Sequence, residues 1–98
     1  MISKTPAKKG GTTKVTFELP AEYGGERVCL CGEFNSWSPD ATPMTKRKDG
    51  RFSTSLSLEQ GQSYRYRYLV DGERWVDDPA PDGYVDNSYG SKDSVVTV

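Results

Sequence analysis

The chain has 98 residues, the size of one ordinary domain. Apolar residues make up 34% and aromatic residues 11%, while 13 basic residues nearly cancel 14 acidic ones for a net charge of −1. This balance excludes a highly charged disordered tail, the longest apolar run is too short to span a bilayer, and the absence of histidine removes Ser-His-Asp and Cys-His catalysis. The composition describes a small folded domain whose thin aliphatic core is filled out by aromatic rings. Residues 1–12 hold Pro6, Gly10 and Gly11 and few apolar side chains, and they read as a flexible N-terminal arm before a domain at 13–98. Lys4, Lys8, Lys9 and Lys14 make this end basic, a solubilising feature. Met1-Ile2-Ser3-Lys4 leads into no apolar run, so no export signal is recognised and a reducing, cytoplasmic setting is expected.

From Lys14 onward the period is two. Val15, Phe17 and Leu19 alternate with polar residues up to Pro20. Val28, Leu30 and Phe34 share a parity, and Cys29 and Cys31 take the other. Phe52, Thr54, Leu56 and Leu58 alternate with serines, and Tyr64, Tyr66, Tyr68 and Val70 alternate with Arg65, Arg67 and Leu69. Val95, Val96 and Val98 close the chain. Such alternation means strands with one buried and one wet face. Turn signals separate the runs, the clearest being Asp49-Gly50 and Asp71-Gly72, which tolerate the positive φ of a type I′ turn. No stretch has a helical apolar period. About six to eight short strands imply an all-β, immunoglobulin-like antiparallel β-sandwich, with a five-stranded OB barrel as the rival. The expected core is Val15, Phe17, Val28, Leu30, Phe34, Phe52, Leu56, Tyr66, Tyr68, Val70 and Val95.

Few residues carry chemistry. The two cysteines stand two apart, a spacing that suits reduced, partly buried thiols and neither a disulfide nor a zinc site. Tyr64-Arg65-Tyr66-Arg67-Tyr68 resembles a nucleic-acid stacking surface, but on a strand the tyrosines and arginines face opposite ways. The acidic stretch from Asp71 onward lacks the cleft a glycosidase needs. Its Asp78-x-Ala80-x-Asp82-Gly83 run lacks the ligands of a calcium loop, so it reads as a solvated turn-rich segment. No catalytic group, metal or cofactor is therefore expected. Trp37 lies in Phe34-Asn35-Ser36-Trp37-Ser38-Pro39 and Trp75 follows a hairpin turn, so neither sits where a core aromatic normally does. Taken alone, each reads equally well as a lid over the sandwich edge or as a platform for a ligand. An exposed indole covers the apolar face of a pyranose well.

An ordered set of residues then resembles a known family. It runs Val28-x-Leu30-x-Gly32-x-Phe34-Asn35-x-Trp37, Met44, Gly50-x-Phe52, Leu56-x-Leu58-x-x-Gly61, Tyr66-Arg67-Tyr68-x-Val70-Asp71-Gly72, Trp75-x-x-Asp78-Pro79 and Gly90 with Ser94-Val95-Val96. From Lys14 to Val98 it resembles the isoamylase early-set domain, also called carbohydrate-binding module family 48. This is the glycogen-binding domain of the AMP-activated protein kinase beta subunit, and it precedes the barrel of glycogen branching and debranching enzymes. The chain looks most like short bacterial proteins made of this domain alone. The resemblance implies an immunoglobulin-like sandwich that binds α-1,4-glucan without catalysis. Trp37 and Trp75 fall on its two stacking positions, and Arg67 falls on the position of a lysine that contacts sugar hydroxyls. Tyr89, Ser91 and Asp93 fall on three further contacts, usually Leu, Thr and Asn. Asp93 departs most, since it accepts hydrogen bonds but cannot donate as an amide does. Glu73-Arg74 makes the turn before Trp75 one residue longer than in the kinase subunit. The expected partner is a glucan such as glycogen, with a glycogen-metabolising enzyme as a further one, and neither nucleic acid nor membrane. The alternative is a protein-interaction or scaffolding module of the same shape.

Overall fold

A strand sends successive side chains to opposite faces, so a period of two buries one face. Thr12–Leu19 shows this: Thr13, Val15, Phe17 and Leu19 are buried, and the residues between them are not. The computed structural model describes residues 1–6 and 10–98. Within them nine strands form two antiparallel sheets. One sheet is ordered β1 (Ile2–Pro6), β2 (Thr12–Leu19), β5 (Phe52–Glu59), β4 (Thr45–Lys46). The other is ordered β3 (Val28–Gly32), β6 (Ser63–Val70), β9 (Lys92–Thr97), β8 (Gly83–Asp86), with β7 (Arg74–Val76) also paired to β6. The layers meet over Val15, Phe17, Leu19, Phe52 and Leu58 from the first sheet and Val28, Leu30, Tyr66, Tyr68, Val70 and Val96 from the second. Two packed sheets make this a sandwich rather than the rival closed barrel.

Three expectations need correction. Ile2–Pro6, read as part of an arm, pairs with β2 from Ile2↔Phe17 to Pro6↔Thr13. It covers an edge of β2 that would otherwise present unpaired N–H and C=O groups. Ile2 packs against the core, and Lys4 Nζ donates to Asp82 Oδ2 at 2.6 Å. Lys8 and Lys9, also assigned to the arm, lie outside the described residues. The terminal core valine is Val96 rather than Val95. Tyr64 pairs with Val96 and Tyr66 with Ser94, so these share the inner face, and Val95 turns outward with Arg65. Phe34 and Leu56 are half-buried flanks of the core.

The third correction concerns Asp78, read as part of a solvated loop and in fact fully buried. Its Oδ2 accepts the Tyr66 hydroxyl at 2.6 Å and the Tyr68 hydroxyl at 3.0 Å. Its Oδ1 accepts the Ala80 N–H and meets the amino group of Met1. The Asp78 N–H donates to Ser94 Oγ, and the Tyr84 hydroxyl donates to the Asp78 carbonyl. A buried carboxylate is tolerated only when it is satisfied in this way. Its Oδ2 is thus engaged by two phenols and its Oδ1 by an amide and an ammonium group, and Asp82 accepts from Lys4 Nζ and the Thr97 N–H.

Candidate functional site

The floor of the site is β6. Tyr66 and Tyr68 point inward and are fully buried, so Arg65, Arg67 and Leu69 take the outer face. On one side β3 sets Cys31 opposite Arg67 and Cys29 opposite Leu69. On the other side two partners lie end to end: β9 runs along Ser63–Tyr66 and β7 along Tyr68–Val70. Arg67 stands at the gap between them. Trp75 of β7 pairs with Leu69 and is 43% exposed. The Arg67 guanidinium carbon lies 5.8 Å from the Trp75 ring centroid, and its Nε–H donates to Asp77 Oδ1 at 2.9 Å. A cation–π contact on one side and an ion pair on the other hold this planar head in place.

Trp37 reaches the same face by a turn that the sequence dictates residue by residue. A Cβ on Gly32 would stand 2.5 Å from the Arg65 carbonyl oxygen and 2.9 Å from Tyr66 Cβ, so only glycine lets β3 end this close to β6. The Asn35 side chain then clamps the turn. Its Oδ1 accepts the Gly32 N–H at 3.1 Å, and its Nδ2 donates to the Leu30 carbonyl at 2.8 Å and Thr42 Oγ1 at 3.0 Å. Ser36 and Trp37 follow in left-handed conformations, at φ 56° and 59°. Left-handed backbone costs a non-glycine residue roughly 1–2 kcal/mol. The Asn35 clamp and the Trp37 N–H bond to the Gly32 carbonyl at 2.9 Å offset it. The half-buried indole rests on a small cluster of Cys29, Cys31 and Leu69. Burial, then Cys29 and Asp40, push the Cys31 thiol up to about 11, so it stays protonated at neutral pH.

The third wall is the loop between β8 and β9. Tyr89 at its tip is 92% exposed. Asp93 at the start of β9 is only 7% exposed, with Oδ1 accepting from Asn87 Nδ2 at 3.1 Å and Oδ2 lying 3.9 Å from Arg65 Nη1.

Of the six residues singled out by sequence, Trp37, Arg67, Trp75, Tyr89 and Asp93 line one open groove of about 870 Å³. Ser91 does not line it; it is exposed, and its Oγ and N–H bond to Asn87. Glu33, Arg65, Asn87 and Ser88 complete the walls. Arg65 shares the outer parity of Arg67, so the period of two was signal enough to find it. Asn87 opens an Asn-Ser-Tyr-Gly turn, a composition that marks a loop but not its role. The Arg65 guanidinium faces Asp93, that of Arg67 pairs with Asp77, and Glu33 lines the same groove, so carboxylates balance its cations. Exposed rings, with guanidinium donors and carboxylate acceptors between them, suit a neutral, polyhydroxylated ligand with apolar ring faces.

A stretch of 57 residues is 39% identical to part of the 1,4-alpha-glucan branching enzyme GlgB of Aquifex aeolicus (strain VF5), covering 55% of this chain and 9% of that enzyme. The chain therefore spans less than a tenth of that relative's length. The family described as the glycogen recognition site of AMP-activated protein kinase matches residues 13–98, and it is to this carbohydrate-binding family that the chain belongs.

Proposed function

We propose that this protein binds an α-1,4-linked glucan of the glycogen type, non-catalytically, in the groove between Trp37, Trp75 and Tyr89. The observation that carries the reading is the convergence of both tryptophans on one open groove, with Arg67 fixed between them. Each indole would stack on the C–H face of a glucose ring. Removing ~80 Å² of apolar surface at ~25 cal/mol/Å² gives about 2 kcal/mol per platform. Arg67 has N–H groups beyond the one given to Asp77, and these would donate to sugar hydroxyls. Asp93 is largely enclosed, so its part is to hold Arg65 and Asn87 while offering its remaining acceptor capacity to the ligand. Two platforms and a few hydrogen bonds, less the cost of association, give a dissociation constant of order 10 µM to 1 mM.

The non-catalytic part of the reading rests on how the groove's carboxylates are engaged. Glu33 Oε1 accepts the Arg65 N–H, and Asp93 is tied to Asn87. An open groove of this kind lacks the enclosed carboxylate pair of a glycosidase. The reading includes a reducing, cytoplasmic setting for the two unbridged cysteines. The match to a segment of a branching enzyme favours a second reading, in which the same face docks onto a glycogen-metabolising enzyme.

Titration with maltoheptaose, followed by tryptophan fluorescence, tests the proposal. Saturable binding should appear, and Trp37→Ala and Trp75→Ala should each weaken it by about 1–2 kcal/mol. If both variants bind like the parent protein, stacking is refuted. An absent response with a retained enzyme partner would favour docking, and release of reducing ends from glycogen would overturn the non-catalytic assignment.

A further inference from the structure

We propose that Asn87 is the positioning residue of the third wall, holding Tyr89 out as a platform that extends the glucan contact beyond the two tryptophans; the inference rests on the glucan reading above. The argument starts from donors and acceptors. The backbone N–H groups of Tyr89 and Ser91 can only donate, and they meet Asn87 Oδ1 at 2.9 and 3.2 Å. The Asp93 carboxylate can only accept, and it meets Asn87 Nδ2 at 3.1 Å. The Ser91 hydroxyl meets the same Nδ2 at 3.0 Å. Both ends of the amide are thus assigned by their partners, and one side chain fastens the loop at Tyr89, Ser91 and Asp93. Gly90, at φ 80°, lets the chain reverse between them.

The result is a phenol ring held out from the fold. Tyr89 is 92% exposed although its own N–H is anchored. Its hydroxyl contacts no other group among the described hydrogen bonds, so the ring faces solvent with no partner inside the protein. An apolar face left in water at the wall of a groove lined by two tryptophans gains from a third sugar ring. The groove volume of about 870 Å³ lies near the upper end of the ~300–1,000 Å³ of small-ligand sites, so it has room for more than one sugar unit. Asn87 has its amide committed to the loop and acts on the ligand through Tyr89.

A double-mutant cycle with maltotriose and maltoheptaose tests this. Asn87→Ala and Tyr89→Ala should each weaken maltoheptaose about tenfold, the worth of one stacked ring. They should weaken maltotriose less, because the shorter sugar forgoes the third platform. The double variant should lose no more than either single one, since both remove the same contact. Additive losses, or equal losses for both sugars, would overturn the proposal. Amide hydrogen exchange supplies the independent measurement. The Tyr89 and Ser91 amides should be protected in the parent protein and released in Asn87→Ala, with the β6 amides unchanged in both. Free exchange of those two amides in the parent overturns the positioning role, whatever the sugar does. A folded parent that ignores maltoheptaose while Tyr89 and Ser91 stay protected refutes the glucan reading, and with it the platform, but leaves the Asn87 anchor standing.

Discussion

Cys31 shows how one buried atom supports a platform above it. Its Sγ–H donates to the Ser38 carbonyl at 3.2 Å, and the thiol lies with Cys29 and Leu69 under Trp37. With the thiol pushed up to about 11, the thiolate at pH 8 is roughly one molecule in a thousand, and only the thiolate attacks an alkylating reagent. Native protein treated with iodoacetamide should therefore leave Cys31 unmodified under conditions that label it fully in denaturant, as read by peptide mass spectrometry. Rapid labelling of the native state would show that the indole lifts off its shelf. What sequence made legible at this scale follows from where each role is encoded. Trp37 and Trp75 stand off the buried parity of any strand, which sets them apart from the core, but lid and platform are told apart only by their match to the family's stacking positions. Asp78 was misread because a carboxylate among prolines looks solvated. Its burial depends on two phenols ten and twelve residues back along the chain, and no local pattern announces that. Ser91 and Asp93 were assigned sugar contacts by position in the family pattern. In this chain Asn87 engages both, and only the loop's hydrogen bonds reveal it.

At the scale of the element, the β3–turn–Trp37 unit converts one close approach into the placement of one ring. Gly32 packs against the β6 backbone, Asn35 locks the turn, and the two left-handed residues swing the indole over the outer face. Gly32→Ala would force its new carbon into the Arg65 carbonyl oxygen and Tyr66 Cβ, both of which belong to a strand paired on either side. Overpacking of this kind costs roughly 1–3 kcal/mol. The urea midpoint should fall accordingly, and the maltoheptaose response should weaken beyond what unfolding explains, because the turn carrying Trp37 shifts. An unchanged midpoint would mean that β3 parts from β6 easily. The hairpins divide in an instructive way. Asp71 and Gly72 both take positive φ, 54° and 69°, as a type I′ turn requires. At Asp49-Gly50 only Gly50 does so, at φ 90°, and its N–H bonds to the Arg47 carbonyl at 3.0 Å, so the same dipeptide closes a longer loop. The type I′ expectation thus holds at Asp71-Gly72 and fails at Asp49-Gly50, because register is set by the strands that the turn joins. The strand at Ile2–Pro6 was missed for a related reason: it holds a single large apolar residue, Ile2, and its order derives from pairing with β2.

Across the whole molecule, Asp78 ties the segment after β7 to β6 and β9 through groups inside the sandwich and to β8 through the hydroxyl of the exposed Tyr84. This arrangement links stability to the protonation of two phenols. Burial and the Asp78 carboxylate push the Tyr66 and Tyr68 hydroxyls well above the ordinary tyrosine value near 10. Their folded-state values exceed the unfolded ones, so the unfolded chain releases these protons first as pH rises. The stabilisation is complete below pH 10 and is lost progressively above it, at up to ~1.4 kcal/mol per pH unit for each tyrosine. Urea unfolding should give a free energy that begins to fall near pH 9, as the unfolded chain's Cys31 thiol ionises, and that drops by about a further 2 kcal/mol between pH 10 and pH 11 from the two phenols together. The ultraviolet absorbance of tyrosinate supplies the matching observation. Tyr66 and Tyr68 should stay silent until the chain unfolds. If Tyr66 and Tyr68 ionise reversibly with the fold intact, water reaches Asp78 and the hub is not sealed. If the two remain silent and stability falls on schedule, the phenol–carboxylate cluster holds the segment that follows Trp75 against the sheet, and the spacing of the groove's walls depends on it.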